Sequence, residues 1–325
     1  GIPTATDIAF AVGILSILGD RVPVSLKVFL TALAIADDLI AILVVALFYG
    51  GTINFGLLSI AFVLIALVLL MNKLGEKRGW FYLVPAIAIW SLFYYAGIHS
   101  TMSGVVMAFL VPMTPRFSEA YFHRKRLQYI RRLNEYNGIA STSSEFPNGP
   151  QRHCLRRLSA ISRDSIGMSY RLEHALGPWV NFLIMPIFAL ANAGVEIPDV
   201  SYFNVFQFDQ VLGSVSMGIF LGLVLGKPLG ISLASFIAVK LHVGEMPAKS
   251  TWPMLIAVAC LGGIGFTMSI FVDTLSFGDQ TPEVMARLRD MGKVAVLMGS
   301  LCAGILGSVL INIIHGIESR KAVKA

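Results

Sequence analysis

Residues 54–71 form a run of 18 residues without a charged side chain, and comparable apolar runs recur along most of the sequence. Few folds are open to such stretches. Lipid offers no partners to free backbone groups, so each N–H and C=O must be satisfied within a helix, and roughly 20 apolar residues are needed to cross. The chain has 325 residues, of which 56% are hydrophobic and only 14% charged, against about 25% charged in soluble domains. Mean hydropathy is +0.74. Cys154, Cys260 and Cys302 lie far apart and show neither CxxC nor metal-ligand spacing, so no disulfide framework or zinc site is indicated. The sequence opens at Gly1 directly into an apolar stretch, without a basic region and short apolar core, and reads as an N-terminus that has been cut back.

The apolar runs predict nine spans, at 2–18, 24–48, 54–71, 80–96, 98–112, 175–194, 211–240, 252–274 and 292–315. Lys and Arg of short loops stay cytoplasmic and orient these spans. Asp20 and Arg21, then Lys73, Lys77 and Arg78, then Lys240 and Lys249, and finally Arg320, Lys321 and Lys324 all fall on one side. The opposite loops are uncharged around Gly50–Phe55 and Gly97–Ser100, and acidic at Glu196, Asp199 and Asp209. Gly1 is therefore expected outside and Ala325 in the cytoplasm. Three regions follow: spans one to five over 1–112, a basic cytoplasmic loop over 113–171, and spans six to nine with the C-terminus over 172–325. The loop holds 11 of the 25 Lys and Arg residues against four acids, which accounts for the +6 net charge without nucleic acid. Phe122, Leu127, Ile130 and Leu133 interleave there with Arg124, Lys125, Arg126, Arg131 and Arg132, a pattern that suits a solvated loop or an anionic membrane surface. Gly138–Pro150, rich in Ser, Asn, Gly and Pro, is expected to be disordered.

Charges inside the spans carry the chemistry. Asp37 and Asp38 stand near the middle of the second span, where one carboxylate costs on the order of 3 kcal/mol by insertion scales. Neighbouring helical positions point about 100° apart, so the two acids can meet different partners and still couple. Burial and like-charge repulsion disfavour two bare carboxylates, which makes proton and hard cation competitors for one site. A buried ion pair that only locks helices is the simpler alternative. Asp7 follows Pro3, Thr4 and Thr6 in a stretch that suggests a helix interrupted at mid-depth, with Asp7 neutralising free amides and Thr6 contacting cation; an interfacial cap is the alternative. Lys227 sits between Gly226 and Pro228 well inside the seventh span, where a buried aspartate is its natural partner and snorkelling the alternative. Gly262, Gly263 and Gly265 with Thr267 and Ser269 crowd the eighth span, which indicates tight helix packing or, beside the interrupted first span, a second discontinuous helix. His99, with Ser100 and Thr101 near an outside turn, reads as structural.

Thr6-Asp7, Ala34-Ile35-Ala36-Asp37-Asp38-Leu39, Gly226-Lys227-Pro228-Leu229-Gly230 and Gly263-Ile264-Gly265-Phe266-Thr267-Met268-Ser269 resemble, in order, the motifs of the NhaA-type sodium/proton antiporters. The likeness covers nearly the whole chain except the long basic loop. It implies an all-α polytopic membrane protein with an inverted-repeat fold, in which the first and eighth spans are discontinuous helices crossing at mid-membrane. It also implies a cation site at Asp37 and Asp38, with Asp38 the direct sodium ligand, and Asp7 and Lys227 compensating the half-helix ends. Arg171, Glu173 and His174 resemble a cytoplasmic pH-responsive entrance, although Gly177 replaces a position where some members carry another histidine; an ordinary helix start fits the same residues. Members usually have twelve spans, so nine with Gly1 outside matches loss of the first three, and the basic loop is longer than expected.

The expected function is sodium and lithium export in exchange for protons, by alternating access across a bacterial inner membrane. No cofactor is expected, since sodium, lithium and protons are the cargo and no GxxxxGK[ST] motif occurs. A homodimer is the partner the family implies. An inactive remnant and a sodium-coupled symporter of similar fold are the competing readings. Intramembrane aspartyl proteases also use two buried acids, but set them on separate helices with GxGD, which is absent here.

Overall fold

The computed structural model describes residues 1–48, 53–76, 78–115, 117–139, 148–192, 194, 212–276 and 282–324. Every regular element among them is helical. A short 3-10 turn at Ile2–Thr4 precedes α1 (Ile8–Ile17) and α2 (Val24–Phe48). Then come α3 (Phe55–Lys73), α4 (Trp80–Tyr95), α5 (Thr101–Leu110), α6 (Glu119–Ile139), α7 (Gly149–Asp164), α8 (Met168–Trp179) and α9 (Met185–Asn192). The chain closes with α10 (Leu212–Leu221), α11 (Lys227–Lys240), α12 (Trp252–Leu261), α13 (Phe266–Ser276) and α14 (Pro282–Lys324).

Among the described residues, five stretches are long and apolar enough to cross a membrane: Val24–Ala46, Phe55–Lys73, Met168–Asn192, Val215–Lys240 and Arg287–Arg320. The pair α12 and α13 qualifies together but bends by 51° at its break. Ile2–Ile17, α4 and α5 are apolar and shorter. Each of the nine apolar runs in the sequence thus contains helix, in lengths more uneven than nine equal spans. Large apolar side chains cover the outer surfaces; Phe62 is 60% exposed and Val63 69%. Such faces have no stable contact with water over this extent and suit lipid.

Two helical stretches owe their irregularity to proline. The π turns Val180–Ile184 and Gly222–Gly226 lie just before Pro186 and Pro228. Proline has no N–H to bond the carbonyl four residues back, so the ladder slips to a wider register there.

By contacts the chain forms two compact units, one of Gly1–Gly50 with Leu183–Ala325 and the other of Gly51–Phe182. In the first, α1, α2, α12 and α14 share a core that includes Leu15, Leu26, Leu30, Val258, Leu261 and Ile311. A second core joins Ile2, Val45, Leu223, Ile270 and Val296. In the other unit, α3, α4 and α5 close around Val68, Tyr82, Ile89 and Phe93, and Met168 of α8 completes that core. Asn72 Nδ2 ties α3 to the end of α5 by donating to the Leu110 carbonyl at 2.8 Å.

The basic loop contains regular structure. Helices α6 and α7 pack on each other, Cys154 and Ile161 being buried while Arg152, Arg156 and Arg157 stay exposed. The expectation of disorder over 138–150 therefore gives way at both ends. Gly138 and Ile139 close α6 and Gly149–Pro150 open α7, while 140–147 lie outside the described residues.

Glycine at 263 is required by packing, because a Cβ there would collide with the Leu223 carbonyl oxygen. Backbone cannot yield as a flexible side chain does. Gly263→Ala is expected to cost about 2 kcal/mol, read as a lower thermal midpoint in detergent. Gly230→Ala, with nothing within 4 Å of the added carbon, should leave that midpoint unchanged.

Candidate functional site

The site is built where two helices are interrupted. After the 3-10 turn the backbone is extended at Ala5 and again at Asp7, and α1 starts only at Ile8. Between α12 and α13 the chain leaves the helix at Gly262–Gly265. The two interruptions are bonded to each other. Asp7 N donates to the Ile264 carbonyl at 2.6 Å, and Thr6 Oγ1 lies 2.9 Å from the Gly262 carbonyl oxygen. A Cβ at Gly265 would stand 3.0 Å from the Ala5 carbonyl oxygen.

Asp7, 1% exposed, serves both helix starts. Its Oδ1 accepts from Phe10 N of α1 at 3.3 Å. Its Oδ2 accepts from Thr267 N at 3.0 Å and from Thr267 Oγ1 at 2.6 Å, on α13. The first N–H groups of a helix lack intrahelical partners and carry partial positive charge, so one carboxylate neutralises two helix ends. The Thr267 hydroxyl is thereby committed to Asp7.

Asp37 and Asp38 fall in the buried stripe of α2 marked by Leu26, Leu30, Ala34, Ala41 and Val45. Positions three and four along from Ala34 share its face, which is how the doublet comes to point inward. Asp37 Oδ2 receives Lys227 Nζ at 2.5 Å, with the two side chains 20% and 10% exposed. Lys227, at the first turn of α11 after the π turn, also donates to Thr6 Oγ1. The single hydroxyl proton of Thr6 then goes either to Asp37 Oδ2 or to the Gly262 carbonyl, each 2.9 Å away. Thr6 thus connects four segments. Asp38 is different: its Oδ1 is buried and has no hydrogen-bond partner among the described residues. Ser269 Oγ is likewise buried and unpartnered, and Ser300 Oγ accepts from Gly265 N at 3.2 Å.

Thr6, Asp7, Asp37, Asp38, Lys227, Gly262, Gly263, Gly265, Thr267 and Ser269 therefore lie within one compact unit. Arg171, Glu173 and His174 lie on α8 in the other. Arg171 stands 3.9 Å from Asp164 and, with Arg78 and Arg163, lines a cavity of about 520 Å³. His174 Nδ1 is 3.1 Å from the Tyr170 carbonyl, its ring against the Tyr170 ring, and Glu173 is exposed. His99 Nδ1 is 3.1 Å from Thr101 Oγ1 at the start of α5. The sequence reading passed over Asp273, which is fully buried on α13. The available signal was an acid one residue from the end of the apolar run at 252–274.

The family model for Na+/H+ antiporter 1 matches residues 1–311. The chain belongs to this family. Among its curated relatives, the Na(+)/H(+) antiporter NhaA of Bacteroides thetaiotaomicron is 39% identical over 98% of this chain and 69% of its own length. The namesake of Syntrophobacter fumaroxidans is 39% identical over 94% of this chain and 63% of its own length, and that of Oleidesulfovibrio alaskensis 39% over 99% and 69%. The chain thus spans about two thirds of the relatives it matches. The antiporter-family match takes in every residue of the cluster described above.

Removing the Asp7 carboxylate leaves donors at two helix starts without a partner. Asp7→Ala is expected to cost about 3 kcal/mol and Asp7→Asn, which keeps one acceptor oxygen, roughly half of that. Thermal unfolding of the detergent-solubilised protein checks both.

Proposed function

We propose that this chain forms the transport core of a sodium/proton antiporter in a bacterial inner membrane, with cation and proton competing for Asp37 and Asp38. The reading rests above all on the buried, unpartnered Asp38 oxygen beside an Asp37 already held by Lys227. Asp7, Asp37 and Asp38 ionised would set three negative charges against the single positive charge of Lys227. In a low-dielectric interior such an excess is costly unless protons or a cation balance it. A sodium or lithium ion on Asp38, with Thr6, Asp37 or water completing an oxygen shell, balances the cluster in one state. Protons balance it in the other. Displacement of Lys227 from Asp37 couples the two, since a cation shifts an equilibrium only by its different affinity for the two states.

The two interrupted helices, 1–17 and 252–276, would then be the crossing elements of an inverted-repeat fold, with Asp7 compensating their helix starts. Alternating access moves this crossing between the two faces. Nine spans, an external Gly1, a cytoplasmic Ala325 and a cytoplasmic basic hairpin over 113–171 complete the topology, with 1–112 and 172–325 as membrane regions. Arg171, Glu173 and His174 on α8 are assigned the response to cytoplasmic pH on the family resemblance alone. A homodimer is the family-implied assembly. A sodium-coupled symporter is less well supported: the apolar cavity of about 620 Å³ lined by Phe10, Ile14, Phe266, Leu297 and Met298 includes no ionic side chain to hold a polar substrate.

In proteoliposomes with an imposed pH gradient, sodium and lithium are expected to drive proton movement and potassium is not. Asp38→Asn should abolish it, and intact transport in that variant would refute the assignment. Because protons compete for the same oxygens, the apparent KM for sodium should rise as pH falls.

A further inference from the structure

Asp273, like Asp38, carries a buried oxygen without a hydrogen-bond partner among the described residues. It is 0% exposed, and neither of its oxygens has a hydrogen-bond partner among the described residues. It lies six residues along α13 from Thr267, or about 9 Å, toward the end of that helix at Ser276. The carboxyl packs onto the backbone of α14 at Gly292, where an added Cβ would collide with its Oδ1 and come within 2.8 Å of its Cγ. Any other residue at 292 would push the carboxyl away.

Cations are close, but their bonds are spent elsewhere or unmade. Lys293 and Arg289 of α14 act on the carboxyl electrostatically, opposed by Asp290. Lys293, 8% exposed, donates instead to the Gly194 carbonyl at 2.8 Å, and Arg289 Nε is buried without a partner among the described residues. Among the described residues, the other elements packed on α13 add no charge at this level, the Asp7 carboxyl meeting that helix at Thr267 in the central cluster. Met185–Asn192 of α9 and the turn Ile2–Thr4 have no ionisable side chain, and the acids of α2, Asp37 and Asp38, belong to the central cluster. A structural ion pair would place Lys293 Nζ on the carboxylate. A bare carboxylate with no bond in this interior is untenable, whereas a neutral acid fits the arrangement found.

We propose that Asp273 is a second proton-exchanging carboxyl, placed between the central acids and the membrane face at which α13 ends, with Lys293 as the cation that replaces its proton. In the step, the Asp273 carboxyl gives its proton to water, Lys293 Nζ leaves the Gly194 carbonyl, and the ammonium takes a carboxylate oxygen. Protonation reverses each change, and one proton is exchanged with no other co-reactant. The Gly194 bond, made in one state and broken in the other, links the end of α9 to the protonation of α13. The transport role of the group rests on the antiport reading above; its proton exchange does not.

Infrared difference spectra of the full-length protein in lipid, taken across a pH titration, read the group directly. The wild type should show a protonated-carboxyl carbonyl band that Asp273→Asn removes and Asp38→Asn retains. Lys293→Met should make that band persist to higher pH, since the replacing cation is gone. In sodium-driven proton movement, Asp273→Asn should lower kcat several-fold and change its pH profile, with the KM for sodium unchanged. It overturns the proposal if Asp273→Asn removes no band that both the wild type and Asp38→Asn show, or if the band it removes titrates in Lys293→Met as in the wild type. So does wild-type kcat and pH profile in Asp273→Asn. Should the wild type show the band but no sodium-dependent proton movement, the antiport reading fails and proton exchange at Asp273 stands.

Discussion

One carboxylate holds the centre of this protein together. Two helices begin in the buried interior of one unit, and their first N–H groups would be left without a partner there, at a cost of about 2 kcal/mol for each unsatisfied group. Asp7 accepts from both starts at once. Its backbone N–H at the same time satisfies a carbonyl of the opposite interruption, Ile264. Everything else in the cluster is positioned from this knot. Thr6 is held where its hydroxyl meets Asp37 and Lys227, and the glycines at 263 and 265 let backbones approach closely enough for the bonds to form.

Seen this way, the acids separate by what they can still do. Asp7 spends its lone pairs on helix ends and Thr267. Asp37 is held by Lys227 and approached by Thr6. Asp38 retains a buried oxygen with no bond among the described residues, and an atom in that condition is costly to leave unpaired. A frame that leaves a carboxylate oxygen unsatisfied among the described residues suits reversible exchange better than a fully satisfied network, which would only lock helices.

Much of this was legible in the chain itself. Long apolar runs require helices because lipid satisfies no backbone group, and Asp37, Asp38 and Lys227 announce themselves through the cost of placing charge in such runs. Pro3 with Thr4 and Thr6, and the glycines of 262–265, are the local features that precede the starts of α1 and α13. Other features were harder to read. The basic segment looked like loop because its polar composition masks the helices α6 and α7, which bury only a narrow stripe including Cys154 and Ile161. Asp273 was overlooked because a single acid near the end of an apolar run resembles a boundary residue until its burial is known.

The sequence by itself determined the helical class, the positions of the costly charges and the two weak points in the helices, because each follows from local composition and the demands of lipid on the backbone. Which charge meets which was decided only by tertiary structure. Asp7 and Thr267 are 260 residues apart, and Lys227 and Asp37 are 190 apart. No local rule pairs them. Contact across such separations depends on how helices pack, and that packing leaves Asp38 Oδ1 and both Asp273 oxygens without partners among the described residues while satisfying Asp7, a distinction invisible in four aspartates of identical chemistry.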